Sequence, residues 1–185
     1  MKKILLHILL ILFVFDGYSQ YKGNPNKAKA TLDKLELKTD IDEIKELLTI
    51  AKGEVDAAIE NVKQNGKANT WLIRGDVYAE IAKILPELDS EAIEKSLEAY
   101  DKIGSEITTK DINIIKNVNI GRQNLSTHFI NKAIVALQGS GEPNYETAYE
   151  AFNLSLKVNP KDTLGLLYGG FVSEQLNKFD EALNF

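Results

Sequence analysis

The chain has 185 residues, of which 44% are hydrophobic and 26% charged, and its formal net charge is −5 at pH 7. A mildly acidic chain without clustered Lys and Arg cannot neutralise many phosphates, so we expect no nucleic-acid partner. The absence of cysteine excludes disulfides, thiolate nucleophiles and zinc–thiolate sites. Only four prolines occur, and long stretches carry Ala, Leu, Ile, Glu and Lys at helical spacing, so the composition favours an all-α fold.

The N-terminal stretch has the pattern of a secretory signal. Lys2 and Lys3 precede an apolar run over residues 4–15, and the small residues Gly17 and Ser19 precede Gln20. A membrane-spanning helix is the alternative, but about a dozen apolar residues fall short of the roughly 20 that cross a bilayer. We therefore predict a cleaved signal peptide over residues 1–19, export of the protein, and no stable membrane insertion after cleavage.

The next segments show helical periodicity. Residues 20–39 are predicted to be a lead-in with a possible first helix. The amphipathic pattern sharpens from Asp40, and either Asp40 or Asp42 is available as the N-cap. The apolar stripe of that second helix runs from Ile41 to Val62, and we expect both residues to lie on its buried side. Two further helices are predicted over residues 69–85 and 89–104.

The second half begins with a long helical pattern over residues 111–138. Gly121 predicts a bend or break between two helices. The expected inner positions of the pattern are Ile112, Ile115, Phe129, Ala133 and Ala136. A turn cluster over residues 139–143 separates this pattern from a helix over residues 145–158. Asp162 and Thr163 are then expected to cap a helix over residues 164–176, and another helix starts at Phe179.

This second half also repeats itself. Tyr145 and Ala148 recur 34 residues later as Phe179 and Ala182 (179 − 145 and 182 − 148). A fixed period of this length is typical of stacked helical hairpins, none of which can bury its apolar face alone.

Earlier residues extend the pattern. Trp71, Gly75 and Tyr78 follow the spacing WxxxGxxY, in which a small residue between bulky ones lets a second helix approach closely. The remaining repeat positions are occupied by Ser96, Tyr100, Ile103, Phe129, Ala133, Ala136, Ala148, Phe152, Ser155, Pro160, Leu166, Gly170 and Ser173.

In these residues the chain resembles tetratricopeptide repeat proteins. The resemblance implies a helical-hairpin solenoid over residues 40–185, with repeats at about 68–104, 126–160 and a truncated one at 163–185, so the array looks C-terminally incomplete. Extra helix separates the first two repeats. The arrangement is also similar to exported repeat proteins of Bacteroidetes-type bacteria, which implies the periplasm, cell envelope or exterior of a Gram-negative bacterium.

In that family, inward-facing residues of the first helices line a concave groove that holds protein or peptide segments. Carried over by position, the candidate groove comprises Asn69, Leu72, Asp76, Glu80, Thr127, Ile130, Ile134, Leu164, Leu167, Phe171 and Glu174. It is apolar with scattered acid. The alternative for each residue is plain packing against a neighbouring helix.

We find no pattern that predicts catalysis, a cofactor or a metal. His128 has no carboxylate at helical spacing, and no nucleophile–base pair stands out. The sequence therefore favours a non-enzymatic, exported scaffold that binds a protein or peptide through its concave face. The alternative is a helical glycan- or nutrient-binding protein, or an accessory module of a longer enzyme.

Overall fold

A computed structural model describes residues 21–139 and 141–182, and the predicted signal peptide lies outside them. The described part is all-α, as predicted, with seven helices packed in antiparallel pairs. We number the helices α1 (Pro25–Leu32), α2 (Ile41–Ile59), α3 (Ala68–Ile84), α4 (Ala92–Ser105), α5 (Ile112–Gln138), α6 (Tyr145–Val158), α7 (Thr163–Gln175) and the single turn α8 (Phe179–Ala182). Two 3₁₀ turns, Leu35–Leu37 and Pro86–Leu88, follow α1 and α3.

Side chains of Asp and Asn determine where several helices begin. The Asp40 carboxylate accepts hydrogen bonds from the backbone N–H groups of Asp42 and Glu43, and Asp162 accepts one from Gly165. Such caps satisfy N–H groups that have no partner inside the helix, and each stabilises it by about 1 kcal/mol. The predicted caps at Asp40 and Asp162 are thus confirmed.

Helix α3 lies at the centre of the fold. It packs against α1, α2, α4 and α5, and it is therefore buried around most of its circumference. A helix that is covered on all sides needs apolar or small residues on every face, which explains why α3 shows no single polar face.

The apolar core has two main parts. The larger lies between α1, α2, α3 and α5, around Leu48, Val55, Tyr78, Leu125 and Phe129. The smaller lies between α5, α6 and α7, around residues that include Ala133, Ala148, Phe152 and Val172. The expected inner positions Phe129 and Ala133 are therefore confirmed, and Ala136 packs against the smaller part of the core.

The structure corrects three expectations about α2 and α5. Val62 is 86% exposed because α2 ends at Ile59, and Ile41 is exposed in its first turn. Gly121 does not break the helix, because α5 is continuous over 27 residues.

The predicted phase of the start of α5 is also wrong. Ile112 and Ile115 are exposed, whereas Ile114 and Val118 face the small cluster that contains Leu72 and Tyr100. The inward side of α5 therefore follows the contact with α4 and α3 rather than the first isoleucines of the helix.

Candidate functional site

A cleft of about 560 Å³ opens between α1, α3 and α5. We call it the central cleft. Its apolar lining consists of Leu32, Leu35, Leu72, Ile73, Ala79, Ile84, Ile120 and Gly121. Its polar lining consists of Lys29, Asp33, Glu36, Asn69, Asp76, Glu80, Lys83, Tyr100, Asn117 and Asn124.

Asp76 of α3 is a partly buried carboxylate of this cleft. The Tyr100 hydroxyl donates a hydrogen bond to Asp76 Oδ1 at 2.7 Å. Burial raises the pKa of Asp76 to about 6, and the Tyr100 hydrogen bond lowers it by a smaller amount. Burial also raises the pKa of Tyr100, so its hydroxyl stays protonated and remains the donor. At neutral pH the cleft therefore presents a mostly ionised, partly desolvated carboxylate.

Two glycines bring the Tyr100 hydroxyl to this carboxylate. A Cβ atom added at Gly75 would lie 2.3 Å from Tyr100 Cε1, and one added at Gly121 would lie 2.3 Å from Tyr100 Oη. Neither separation leaves room for a real side chain, so a residue without a Cβ is required on both α3 and α5. The glycine of the WxxxGxxY pattern thus serves the close approach expected of it, and Gly121 serves a second one.

The cleft has more acidic than basic side chains, and only some of the acidic ones form ion pairs. Lys29 Nζ lies 3.1 Å from Asp33, and Lys83 Nζ lies 2.6 Å from Glu80. Among the described residues, Asp76 forms no ion pair, since its hydrogen bond comes from a neutral phenol. With two lysines against Asp33, Glu36, Asp76 and Glu80, the cleft carries a net negative charge.

The structure divides the eleven candidate groove residues among three places. The four from the first repeat, Asn69, Leu72, Asp76 and Glu80, all line the central cleft. From the second repeat, Ile130 is buried in the smaller core, Ile134 packs against that core, and Thr127 is exposed.

The third group lies on α7, away from the lining of the cleft. Leu164, Leu167, Phe171 and Glu174 are all exposed there. The eleven residues therefore do not meet in one pocket. Ile130 packs against neighbouring helices, which was the alternative to a place in the groove.

Sequence reasoning missed two walls of the cleft. Helix α1 contributes Lys29, Leu32 and Asp33, and α5 contributes Asn117, Ile120, Gly121 and Asn124. The α5 wall had a signal in the sequence, because Asn117, Ile120 and Asn124 recur at helical spacing. Asparagine is a weak helix former, and packing alone does not explain its presence at these positions. The α1 wall had none, since its position depends on tertiary contacts with α2 and α3.

A second polar cluster, on the side of α3 that faces α2, contrasts with Asp76. Asp56 accepts hydrogen bonds from the Tyr78 hydroxyl at 2.8 Å, from Lys52 at 3.0 Å and from Arg74. The Arg74 guanidinium also lies 4.5 Å from the centroid of the Tyr78 ring. These charges compensate one another inside the protein, so the cluster ties α2 to α3.

Trp71 and His128 lie outside the central cleft. Trp71 is 6% exposed, and its indole N–H donates to the Asn65 carbonyl at 2.6 Å. His128 is partly buried, with its ring edge-on to Phe129 at 5.3 Å, and burial lowers the pKa of His128. Neither lines the central cleft. The part of the chain that the structure describes holds no group of three or more His, Asp or Glu side chains suited to a metal ion.

No known protein family, curated protein or solved structure matches this chain. None of the helices within residues 21–139 and 141–182 combines the length and the apolar character needed to cross a membrane.

Proposed function

We propose that the protein is a non-enzymatic binding scaffold whose central cleft holds an extended segment of a partner protein or peptide. The observation that carries this proposal is the joint lining of one cleft by Asn69, Leu72, Asp76 and Glu80 of α3 and by the asparagines of α5. The polar side chains of this set are exposed or partly exposed and face one space from two helices, so they are available to a ligand, whereas Leu72 is buried beneath them.

The dimensions and chemistry of the cleft suit a short peptide. Its volume of about 560 Å³ falls within the range of about 300–1,000 Å³ that is usual for ligand pockets. From Asn69 to Glu80, α3 covers roughly 16 Å, which matches about five residues of extended chain. Asparagine amides both donate and accept, so Asn69, Asn117 and Asn124 suit main-chain N–H and C=O groups, while Leu32 and Ile120 suit apolar side chains.

The wider architecture belongs to the same proposal. We infer a tetratricopeptide-type solenoid, supported by the 34-residue step from α6 to α8 and by the small and aromatic residues packed between α5, α6 and α7. We infer export through residues 1–19 from their composition, which places binding in the periplasm, cell envelope or exterior of a Gram-negative bacterium.

The lining favours a peptide over a sugar. Glycan sites stack sugars on exposed aromatic rings, whereas Tyr100, the one ring among the described lining residues, is 1% exposed. Trp71 is buried as well, and its N–H is already engaged. The central cleft therefore offers no exposed ring on which a sugar could stack.

Peptide selection from a random display library, with the full chain as bait, tests the proposal. Asn117→Trp places a bulky ring in the cleft, and Asn119→Trp places the same ring on an exposed α5 position that does not line it. We expect selected peptides to bind wild type and Asn119→Trp equally and to bind Asn117→Trp at least tenfold more weakly, as measured by titration calorimetry. The proposal fails if no peptide is selected, or if both variants bind like wild type.

A further inference from the structure

Asp76 is a carboxylate whose charge the protein leaves uncompensated. Three other carboxylates that are buried or partly buried do lie against a cation: Glu54 against Lys27, Asp56 against Arg74, and Asp89 against Lys95. Asp76 has instead a neutral donor, Tyr100, held in place by Gly75 and Gly121. An ionised group in such surroundings costs folding free energy, and groups of this kind concentrate at functional sites.

The charges nearest to Asp76 do not remove this cost. Lys29 and Lys83 stand at the cleft, but they are paired with Asp33 and Glu80 respectively. A ligand with its own cation would supply the missing partner, whereas an anionic ligand would meet four carboxylates and two engaged lysines. The apolar side chains of Leu32, Ile84 and Ile120 line the same cleft, are exposed or partly exposed, and suit the methylene stem of a long cationic side chain.

We propose that Asp76 binds the cationic side chain, lysine or arginine, of the peptide segment that occupies the central cleft. This inference rests on the proposed function, because it names the ligand class for the same cleft. The cation forms a charge-assisted hydrogen bond with the carboxylate, the Tyr100 hydroxyl keeps Asp76 oriented, and the flanking apolar side chains cover the stem.

The binding then depends on pH in a defined direction. The groups that face Asp76 are Tyr100, Lys29, Glu80 and Lys83. Of these, Tyr100 stays protonated because burial raises its pKa. Since Asp76 has a pKa of about 6, its protonation at lower pH removes the negative partner, and the affinity for a lysine peptide falls by roughly tenfold for each further pH unit.

NMR titration of the full chain tests the inference with three probes: the blocked peptide acetyl-GLKLG-amide, the same peptide with acetyl-lysine at its centre, and free n-butylamine. We expect the lysine peptide to bind at pH 7.5 at least tenfold more tightly than either of the others. Asp76→Asn removes that preference, whereas Asp42→Asn, at an exposed carboxylate of α2, leaves it intact. Equal affinity for lysine and acetyl-lysine peptides overturns the inference, as does equal affinity for n-butylamine.

The library selection separates failure of this inference from failure of the proposed function. We expect the selected peptides to share a lysine or arginine and to lose at least tenfold in affinity for Asp76→Asn. Peptides that are blocked by Asn117→Trp, share no cationic residue and bind Asp76→Asn as tightly as wild type would overturn the cation site and leave the cleft as a peptide site. If Asn117→Trp blocks no selected peptide, both proposals fail together.

Discussion

At the residue scale, the ionised carboxylate of Asp76 lowers the stability of the folded protein and gives the cleft a negative charge that a ligand can reach. Its pKa is about 6 in the folded protein against an ordinary value of 3.8, so the folded state holds the proton more tightly than the unfolded state does. Protonated Asp76 therefore stabilises the folded protein. This contribution to the free energy of unfolding is fully present below about pH 4 and is lost as the pH rises through about 6. The difference amounts to about 3 kcal/mol at neutral pH.

We therefore predict that Asp76→Asn stabilises the protein at pH 7 by up to about 3 kcal/mol and has little effect near pH 4. An asparagine keeps an oxygen for the Tyr100 hydroxyl, so the hydrogen bond survives while the buried charge disappears. Urea denaturation of wild type and variant at pH 4, 5, 6 and 7 measures the difference. A stability gap that is independent of pH, or a variant less stable than wild type at pH 7, would contradict this account.

At the element scale, the packing of α4 against α3 and α5 depends on two glycines. Gly75 and Gly121 contact the Tyr100 ring from two helices, and α5 stays continuous through Gly121. An isolated glycine in a helical pattern is compatible with either a break or a close approach, and only the position of Tyr100 decides between them.

Gly121→Ala separates helix propensity from packing. Alanine is favoured over glycine within a helix by up to about 1 kcal/mol, but its Cβ would lie 2.3 Å from Tyr100 Oη, and the buried, hydrogen-bonded ring has little room to move. We expect a net loss of about 1–3 kcal/mol in the free energy of unfolding.

Gly53→Ala is the matched control on α2, where nothing lies within 4 Å of an added Cβ, and we expect it to stabilise by up to about 1 kcal/mol. Thermal denaturation of the two variants compares them directly. Equal stabilisation by both substitutions would show that Tyr100 does not occupy the space beside Gly121 in solution.

The helices differ in how much of them the sequence could predict. Local signals were sufficient for α6, where the turn cluster and Pro160 bound Tyr145–Val158, and for the caps Asp40 and Asp162. They were insufficient for the first turns of α5, where isoleucines stand on several faces and the inward face is selected by contact with Tyr100 and Leu72. Tertiary contact overrides local pattern in such a case.

At the scale of the whole molecule, the same distinction holds for the candidate site. Asn69, Leu72, Asp76 and Glu80 lie along one side of α3, and helical spacing alone determines that arrangement. The cleft itself also needs α1 and α5, which contact α3 from distant parts of the sequence. No local sequence pattern predicts such long-range contacts.

The 34-residue step in the sequence also relates residues of α7 to residues of α5. Leu164, Leu167 and Phe171 on α7 correspond by this step to Ile130, Ala133 and Leu137 on α5 (for example 167 − 34 = 133). The α5 residues belong to the smaller core or pack against it, whereas the α7 residues are exposed. Positions that are equivalent in sequence therefore have opposite environments in the structure.

A charge placed at the two equivalent positions measures that difference. Ala133 is 0% exposed and Leu167 is 64% exposed. We expect Ala133→Lys to cost more than about 3 kcal/mol in the free energy of unfolding, because it buries an unpaired ammonium, and Leu167→Lys to change it by less than about 0.5 kcal/mol. Urea denaturation at several protein concentrations provides both values. If Leu167→Lys is as costly as Ala133→Lys, the α7 face is covered in solution, and a cost that grows with protein concentration identifies a second copy of the chain as the cover, since only association depends on concentration.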